Sequence, residues 1–510
     1  MRTKKSLKGA SISMVLNILT LLIGLVSQAI FIKILGKSYL GVNGLFNNIV
    51  SMLAIVELGI GPAIIYNLYK PIADNDIETT KSLMAFYKKC YKIIAIIILL
   101  IGLMITPFIN QFVDVVLDTN IYLIFILFII DSAASYVYSY KRSILQADQN
   151  SYIISLVHIG YVVLLNLFQL SVLIISGNYL LFLIIKIIIR VIENIILSII
   201  ADKLYPFLTD KNYKQLDKDI LLDIKQKVKG LFFHKIGGFL VTGTDNIIIS
   251  KFLGVVLVGL YSNYYMIISA AYILISQIFS SFTASVGNLI VAESKEHSYK
   301  IYKVLMMLNF WVYSIASCMI YIIMEPFISI WIGSEFVLPN AVLIILCVNF
   351  YMLGMRASIG LYKDASGIFW EDRYVPIIES TINIVVSIIL VQKIGMVGVF
   401  IGTFLSSLIV VFFSLPYYVY KKIFEKSILE YYKLYFKYLI ISVGAISISK
   451  ICSLSIIPNS LILKIVMYAV ISIFIPMIIN ILILYKTDEY KYLKNLAWNI
   501  IKNIGSKIKR

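Results

Sequence analysis

Residues 10–35 read ASISMVLNILTLLIGLVSQAIFIKIL and carry a single charge, Lys33. A helix of about 20 residues is long enough to cross the roughly 30 Å hydrocarbon core of a bilayer. We place thirteen further apolar blocks of comparable length along the 510-residue chain. Because a helix satisfies its own backbone polar groups inside lipid, the sequence predicts an all-α polytopic membrane protein with about 14 transmembrane helices.

The composition agrees with this fold class. Hydrophobic residues make up 60% of the chain and charged residues 14%, whereas a soluble globular protein has about 45–50% and about 25%. The mean hydropathy is +0.92. These values exclude a soluble enzyme of this size. The four cysteines are scattered without metal-site spacing, so we predict neither a disulfide framework nor a metal site.

The basic residues indicate how the chain is oriented. The net charge is +18, from 45 Lys and Arg against 27 Asp and Glu. With the N-terminus in the cytoplasm, 37 of the 45 fall in inner segments, six at outer ends and two within a span. Cytoplasmic loops collect Lys and Arg. We therefore predict a multi-pass protein of the bacterial cytoplasmic membrane with both termini in the cytoplasm, and no nucleic-acid partner.

A short repeat divides the chain. Lys33–Val42 and Lys251–Leu260 share the pattern K-x-L-G-x3-[LV]-G-[VL], 218 residues apart. Both copies fall at the outer turn between the first two spans of a six-span block, so the two blocks have the same orientation in the membrane. The predicted domains are a six-helix lobe at 1–200, a basic amphipathic cytoplasmic linker at 201–228, a second six-helix lobe at 229–420, accessory helices 13 and 14 at 421–484, and a basic amphipathic cytoplasmic tail at 485–510.

The sixth predicted span carries the most informative charges. Lys186, Arg190 and Glu193 follow one another at i, i+4 and i+7 and share one face of the helix. A charge at the centre of a span costs about 2.5–3.5 kcal/mol on insertion scales, so it faces a cavity, a partner or a substrate. One interpretation is a cationic wall for an anionic head group, since Arg can bind phosphate oxygens bidentately. The other is an ion-pair ladder in which Glu193 neutralises Arg190.

Other charges and a glycine-rich break are candidates for coupling and movement. Arg356 either lines the cavity or reaches the inner interface. An acid at membrane depth can bind a proton or Na⁺, or pair with a nearby cation. The candidate acids are Glu57, Asp131, Glu193, Asp245 and Glu379. The second span holds a candidate hinge, which could instead allow close helix packing, at Gly59, Gly61 and Pro62.

The sequence has no recognisable catalytic motif. The three histidines form no H-E-x-x-H pattern, and no G-x-x-x-x-G-K-[ST] phosphate loop occurs. We therefore predict that the chain is not an enzyme and has no catalytic residues and no cofactor. What remains is movement of a substrate across or within the membrane.

Taken together, these features resemble the polysaccharide-type (Wzx-like) lipid flippases of the multidrug/oligosaccharidyl-lipid/polysaccharide (MOP) exporter superfamily. The resemblance covers most of residues 1–420. It rests on the ILG-x3-LG turn after the first span, Glu57–Gly61, Gly237–Tyr265 with Thr244–Asn246 and Gly259–Tyr264, Tyr362–Gly367 followed by Arg373, and Gly395–Val399 before Gly402 and Thr403.

The resemblance implies two pseudo-symmetric six-helix lobes around a central cavity. It implies a flippase that moves an undecaprenyl-diphosphate-linked oligosaccharide from the inner to the outer leaflet by alternating access, for capsule, O-antigen or exopolysaccharide assembly. Lys186, Arg190 and Arg356 would form its cationic cavity. The implied partners are membrane lipids, H⁺ or Na⁺, a polysaccharide polymerase and glycosyltransferases. The first two spans carry no mid-membrane arginine, which counts against the peptidoglycan lipid-precursor branch.

Three alternatives remain open at this point. A cation-coupled multidrug antiporter of the same superfamily would have an acidic, aromatic-lined cavity, whereas the excess charge on span six is positive. A membrane-embedded polysaccharide polymerase or glycosyltransferase would need a large outer loop or a carboxylate-rich one. The outer loops here are short, and their acids are Asp114, Asp118 and Glu335. A non-transporting scaffold has the basic tail as its only support.

Overall fold

The computed structural model describes residues 2–57, 59–210, 212–368, 370–456 and 460–508. All regular secondary structure in these ranges is helical, which confirms the predicted all-α fold. The first ten α-helices are α1 (Arg2–Leu53), α2 (Ile60–Ala73), α3 (Ile77–Ile105), α4 (Ile121–Tyr136), α5 (Tyr140–Ala147), α6 (Ser151–Ser176), α7 (Tyr179–Leu204), α8 (Lys218–Gly243), α9 (Asp245–Leu253) and α10 (Val255–Ser280). The next ten are α11 (Thr283–Ala292), α12 (Lys295–Trp331), α13 (Asn340–Met355), α14 (Ala357–Ala365), α15 (Val375–Ile394), α16 (Met396–Ser406), α17 (Phe412–Val419), α18 (Ile428–Leu454), α19 (Leu461–Leu484) and α20 (Asp488–Ile508).

The helices form two compact units. The first comprises residues 1–266 and 376–399, and the second comprises residues 267–375 and 400–510. Each unit therefore takes residues from two separate stretches of the chain. The predicted lobes at 1–200 and 229–420, and the cavity between them, stay predictions.

Ten helical segments of the described residues are long and apolar enough to cross a membrane, or eleven if the bent pair α4 and α5 is one span. The predicted number is fourteen, and the difference has three causes. Helix α1 runs past a kink and so joins the first two predicted spans. The apolar sequence of the continuous helix α7 is interrupted by its charged stripe, and α8 is separated from α9 at Thr244. The predicted spans fall on helical segments, but several of them cover two consecutive helices, as 121–145 covers α4 and α5.

The kink in α1 and the start of α10 show the same backbone feature. Gly36 has φ 79° and ψ −175°, and Gly254, between α9 and α10, has φ 93° and ψ 152°. This region of backbone space is accessible essentially to glycine alone. These two glycines occupy the same position in the repeated K-x-L-G pattern. The repeat therefore encodes the same helix break twice.

The two repeated turns pack against each other within the first unit. A Cβ atom added to Gly41 would lie 2.1 Å from the carbonyl oxygen of Val255. A Cβ atom added to Gly259 would lie 2.8 Å from the backbone nitrogen of Gly41. Both distances are far inside van der Waals contact, so α1 and α10 approach at a spacing that only glycine permits at these positions.

A second break lies at the candidate hinge. Helix α1 ends at Leu53, a 3₁₀ turn covers Ala54–Glu57, and α2 begins at Ile60. Gly59 precedes α2 in the left-handed conformation, with φ 79° and ψ 13°. Pro62 lies in the first turn of α2, where a missing N–H costs no intrahelical hydrogen bond. The helix is thus interrupted at the predicted place, and movement about it stays a prediction.

The charged segments outside the spans are partly helical, as predicted. The linker becomes helical at Lys218, and the tail forms α20. Before α8, the linker is tied to α3 because Lys81 Nζ donates a hydrogen bond to Asp210 at 2.7 Å. This hydrogen bond lowers the pKa of Asp210 below its ordinary value.

Candidate functional site

Helix α7 turns its charged stripe into the first unit. An exposed apolar ridge runs along the opposite side of the helix and consists of Ile188, Ile192, Ile195 and Ile199. Lys186, Arg190 and Glu193 lie on the other face, where α7 packs against α4, α5 and α6. The side chains of Lys186 and Arg190 are 20% and 24% exposed. The isoleucine ridge thus suits contact with lipid, and the charges do not lie on it.

Asp131 on α4 binds both cations of the stripe. Arg190 Nε donates to Asp131 Oδ1 at 2.5 Å, and Lys186 Nζ lies 3.1 Å from Asp131 Oδ2. Aromatic rings line the same place: the Lys186 ammonium lies 5.1 Å from the Phe128 ring centre, and the Arg190 guanidinium lies 5.6 Å from that of Tyr161. The Asp131 carboxylate therefore binds both Lys186 and Arg190, and each cation also lies near an aromatic ring.

Glu193 pairs with residues on two neighbouring helices. Its Oε2 atom lies 3.2 Å from Arg142 on α5, and its Oε1 atom lies 2.9 Å from His158 Nδ1 on α6. In the alternative interpretation of the stripe Glu193 neutralises Arg190, whereas in the structure Arg190 is bonded to Asp131. Arg190 and Glu193 are three residues apart on α7 and face different neighbouring helices. Helix α4 therefore supplies the partner of Arg190, and α5 and α6 supply those of Glu193.

These residues form one connected group, which we call the α7 charge cluster: Asp131, Arg142, His158, Lys186, Arg190 and Glu193. It contains three permanent cations and two carboxylates, so its net charge is +1 with a neutral histidine. The three cations keep between 20% and 30% of their side-chain surface exposed, whereas Glu193 keeps 2%. Such a cluster is able to attract an additional anion, because its positive charge is in excess and its cations are accessible.

Sequence reasoning missed Arg142 as a member of this site. It is one of the 37 basic residues that the charge distribution assigns to inner segments. In the structure α5 is a short helix bent by 42° from α4, and the bend directs Arg142 back toward α7. Arg142 also donates to Asn194 Oδ1 at 2.7 Å. The only signal for this contact in the sequence is the side-chain amide of Asn194, which directly follows Glu193.

Glu57 is the carboxylate of a second polar group at the break between α1 and α2. Tyr91 donates its hydroxyl proton to Glu57 Oε1 at 2.8 Å, and Tyr87 donates to Tyr91 at 2.7 Å. Both tyrosines are buried, and Glu57 is half-buried. A Cβ atom on Gly61 would lie 2.5 Å from Glu57 Oε1, so the glycine makes room for the carboxylate. The structure thus places a carboxylate that accepts a hydrogen bond from a pair of buried phenols next to a helix break.

The remaining candidates lie outside the helices that form the α7 charge cluster. Asp245 is buried as the first residue of α9, and Glu379 is buried on α15. Both belong to the first unit. Arg356 lies in the second unit between α13 and α14, within electrostatic range of Tyr272, Tyr431 and Tyr435. The structure thus brings Lys186, Arg190, Asp131 and Glu193 together. Arg356 has a separate, tyrosine-rich environment.

The polymerase or glycosyltransferase alternative needs a carboxylate-rich loop, so the positions of the acids in the predicted outer loops are relevant to it. Asp114 Oδ1 accepts a hydrogen bond from the backbone nitrogen of Val255 at 2.9 Å, at the first residue of α10. A carboxylate in this position stabilises a helix N-terminus. Glu335 belongs to a 3₁₀ turn at Ser334–Phe336. Across the ranges that the structure describes, no group of three or more His, Cys, Asp or Glu side chains could hold a metal ion.

The fold is similar to that of solved multi-pass membrane transporters. The lipid II flippase MurJ in an inward closed conformation superposes with a TM-score of 0.67 at 14% identity, over 92% of this chain and 98% of that one. An inward-facing multidrug resistance MATE family transporter of the MOP superfamily gives 0.61 at 13%, over 78% and 96%. A mutant of the Vibrio cholerae MATE transporter VcmN gives 0.59 at 13%, over 83% and 99%. No protein-family model and no curated protein matches the chain. The structural neighbours are thus MOP-superfamily transporters, and at these identities they show the fold.

Proposed function

We propose that this protein is a flippase that moves an undecaprenyl-diphosphate-linked oligosaccharide from the inner to the outer leaflet of a bacterial cytoplasmic membrane, by alternating access and with both termini in the cytoplasm. A polysaccharide polymerase and glycosyltransferases are its expected partners in assembling a capsule, O-antigen or exopolysaccharide. The substrate has a doubly anionic linker, a polar glycan and a lipid tail. It requires a hydrated cationic surface beside an apolar one.

The observation that carries the proposal is the excess positive charge of the α7 charge cluster. The cluster has three cations and only two carboxylates, so a diphosphate supplies negative charge where positive charge is in excess. Asp131 engages Arg190 through Nε, and a guanidinium has two further nitrogens that can donate to phosphate oxygens. The isoleucine ridge of α7 offers the lipid tail an apolar route on the opposite side of the same helix.

The proposed cycle exchanges partners within the cluster. The diphosphate displaces the Asp131 carboxylate from Lys186 and Arg190, and the freed carboxylate favours return to the resting pairs once the substrate leaves. A membrane potential that is negative inside assists outward movement of anionic charge by about 2.3 kcal/mol per charge per 100 mV. Arg356 and the acids Asp245 and Glu379 are candidates for a second contact with the substrate or for ion coupling.

The experiment replaces Lys186 and Arg190 by glutamine in a strain that depends on this protein for surface polymer. We expect polymer export to fall strongly and the lipid-linked oligosaccharide to accumulate on the cytoplasmic side. The matched control is Lys33→Gln, which removes an exposed lysine from the same unit. Normal export and normal intermediate levels in the double variant, at equal expression, would refute the proposal.

A cation-coupled multidrug antiporter is the second candidate, and the Glu57 group favours it. A carboxylate linked to two buried tyrosine hydroxyls at a helix break could bind and release a proton as the helices move. Two of the three structural neighbours described above are MATE transporters, and one of these is described as a multidrug resistance transporter. The flippase proposal is preferred because the α7 charge cluster repels cationic drugs.

A proteoliposome assay separates the two functions. We expect wild-type protein to show no proton-driven extrusion of a lipophilic cation such as ethidium, because the accessible charge is positive. Extrusion by the wild type that Glu57→Gln abolishes and Glu78→Gln preserves would establish antiport instead. Glu78 is a suitable control because its carboxylate is 53% exposed at the start of α3.

A further inference from the structure

A hollow of about 350 Å³ lies at the start of α12 in the second unit. Its wall includes Lys295, Ser298, Ser366, Gly367, Glu371 and Lys422. The wall thus holds two lysines and one carboxylate, and a second carboxylate, that of Glu425, lies beside Lys295. The hollow belongs to a different compact unit from the α7 charge cluster, so it is separate from the site proposed above.

The wall contains hydroxyl groups without partners. Ser298 is 2% exposed, and its hydroxyl oxygen has no hydrogen-bond partner among the described residues. Its backbone carbonyl accepts a hydrogen bond from the Tyr362 hydroxyl at 2.9 Å, which holds this turn of α12 in place. The Ser366 hydroxyl is likewise buried and unpaired within the described part of the chain. Buried hydroxyls are normally satisfied, and two in one wall indicate a ligand rich in acceptors.

A helix N-terminus and two accessible lysines at the hollow are able to bind an anion. Helix α12 has 37 residues, and its N-terminus is an electropositive end at which anions are stabilised. Lys295 lies 2.6 Å from Glu425, and Lys422 is bonded to Glu371. The lysine side chains are 53% and 44% exposed. Exposed ion pairs of this kind are weak, so each ammonium is free to turn toward a ligand.

We propose that this hollow binds a phosphate group, held by Ser298, Ser366, Lys295 and Lys422 at the N-terminus of α12. Phosphate offers oxygen acceptors for both hydroxyls and negative charge for both lysines. The segments that contribute Lys295 and Lys422 are those that the charge distribution assigns to the cytoplasm. The phosphate therefore comes either from an anionic lipid headgroup of the inner leaflet or from a soluble phosphate compound.

The test uses the purified full-length protein. Thermal unfolding is measured in a neutral detergent with increasing inorganic phosphate, against chloride at equal ionic strength. It is also measured in nanodiscs of phosphatidylcholine with and without phosphatidic acid. Ser298→Ala is compared with Ser314→Ala, which removes another buried, unpaired hydroxyl from the same helix. Lys422→Gln is compared with Lys421→Gln, its exposed neighbour outside the hollow.

We expect saturable stabilisation of the wild type in at least one arm. The apparent affinity should fall about tenfold in Ser298→Ala and Lys422→Gln, since each loses a hydrogen bond to a charged ligand, and should not change in either control. Stabilisation by inorganic phosphate identifies a soluble source, and stabilisation by phosphatidic acid alone identifies a lipid. Ser298→Ala is expected to fold because it removes only an unsatisfied hydroxyl. No stabilisation of the wild type in either arm, or equal affinity in Ser298→Ala and Ser314→Ala, would overturn the proposal.

Discussion

Replacing Asp131 by asparagine is expected to lower the thermal stability of the protein, and adding Lys186→Gln and Arg190→Gln is expected to restore stability without restoring transport. In the single variant two cations lose the carboxylate that binds them at 2.5 and 3.1 Å. Removing one partner of a buried pair costs about 3–5 kcal/mol, whereas an exposed pair contributes about 0–1 kcal/mol. The cations here are partly exposed, so we expect a loss on the order of 2 kcal/mol.

The triple variant distinguishes structure from function at the same residues. It removes all three charges together, so no buried charge is left without a partner and the protein regains stability. The triple variant nevertheless lacks both cations that are proposed to bind the substrate. Melting temperatures of the purified variants and polymer export in the dependent strain are the two measurements, with the exposed acid substitution Asp118→Asn as the control. A triple variant that is stable and exports normally would show that these charges serve only to hold the helices together.

Replacing Gly41 by alanine is expected to lower stability, while Gly160→Ala is expected to leave it unchanged or raise it. The new methyl group at position 41 would lie 2.1 Å from the Val255 carbonyl oxygen and 2.7 Å from its carbon. These are backbone atoms and cannot rotate away, so α1 and α10 must separate. Overpacking of this kind costs about 1–3 kcal/mol. Gly160 has no atom within 4 Å of the added methyl group, and alanine is the better helix former by about 0.8–1.0 kcal/mol.

Both variants are compared with the wild type by thermal unfolding in detergent and by polymer export. Gly259→Ala should resemble Gly41→Ala, because its added methyl group lies 2.8 Å from the Gly41 backbone nitrogen across the same contact. We also expect export to fall in both, since the contact joins the two repeated turns. Equal melting temperatures for Gly41→Ala and Gly160→Ala would show that α1 and α10 do not approach as closely as the structure has them.

The repeat predicts local backbone conformation but not the packing of its two copies. Its two copies predict equivalent turns, and Gly36 and Gly254 do adopt related conformations that other residues cannot reach. The pattern gives no distance between the copies. Their packing within one compact unit arises from the approach of α1 to α10, which depends on contacts between residues more than 200 positions apart.

The amino-acid sequence by itself determined that the chain is helical and spans the membrane many times, that its helices break at Gly36, Gly59 and Gly254, and which face of α7 is charged. These properties follow from apolar length, helical periodicity and the conformational range of glycine, all of which act within a few turns. Tertiary structure alone decided that Arg190 pairs with Asp131, that Glu193 pairs with Arg142 and His158, and that the resulting cluster retains one positive charge. An ion pair forms with whichever opposite charge the packed helices bring within about 4 Å, and separation along the chain does not specify that neighbour.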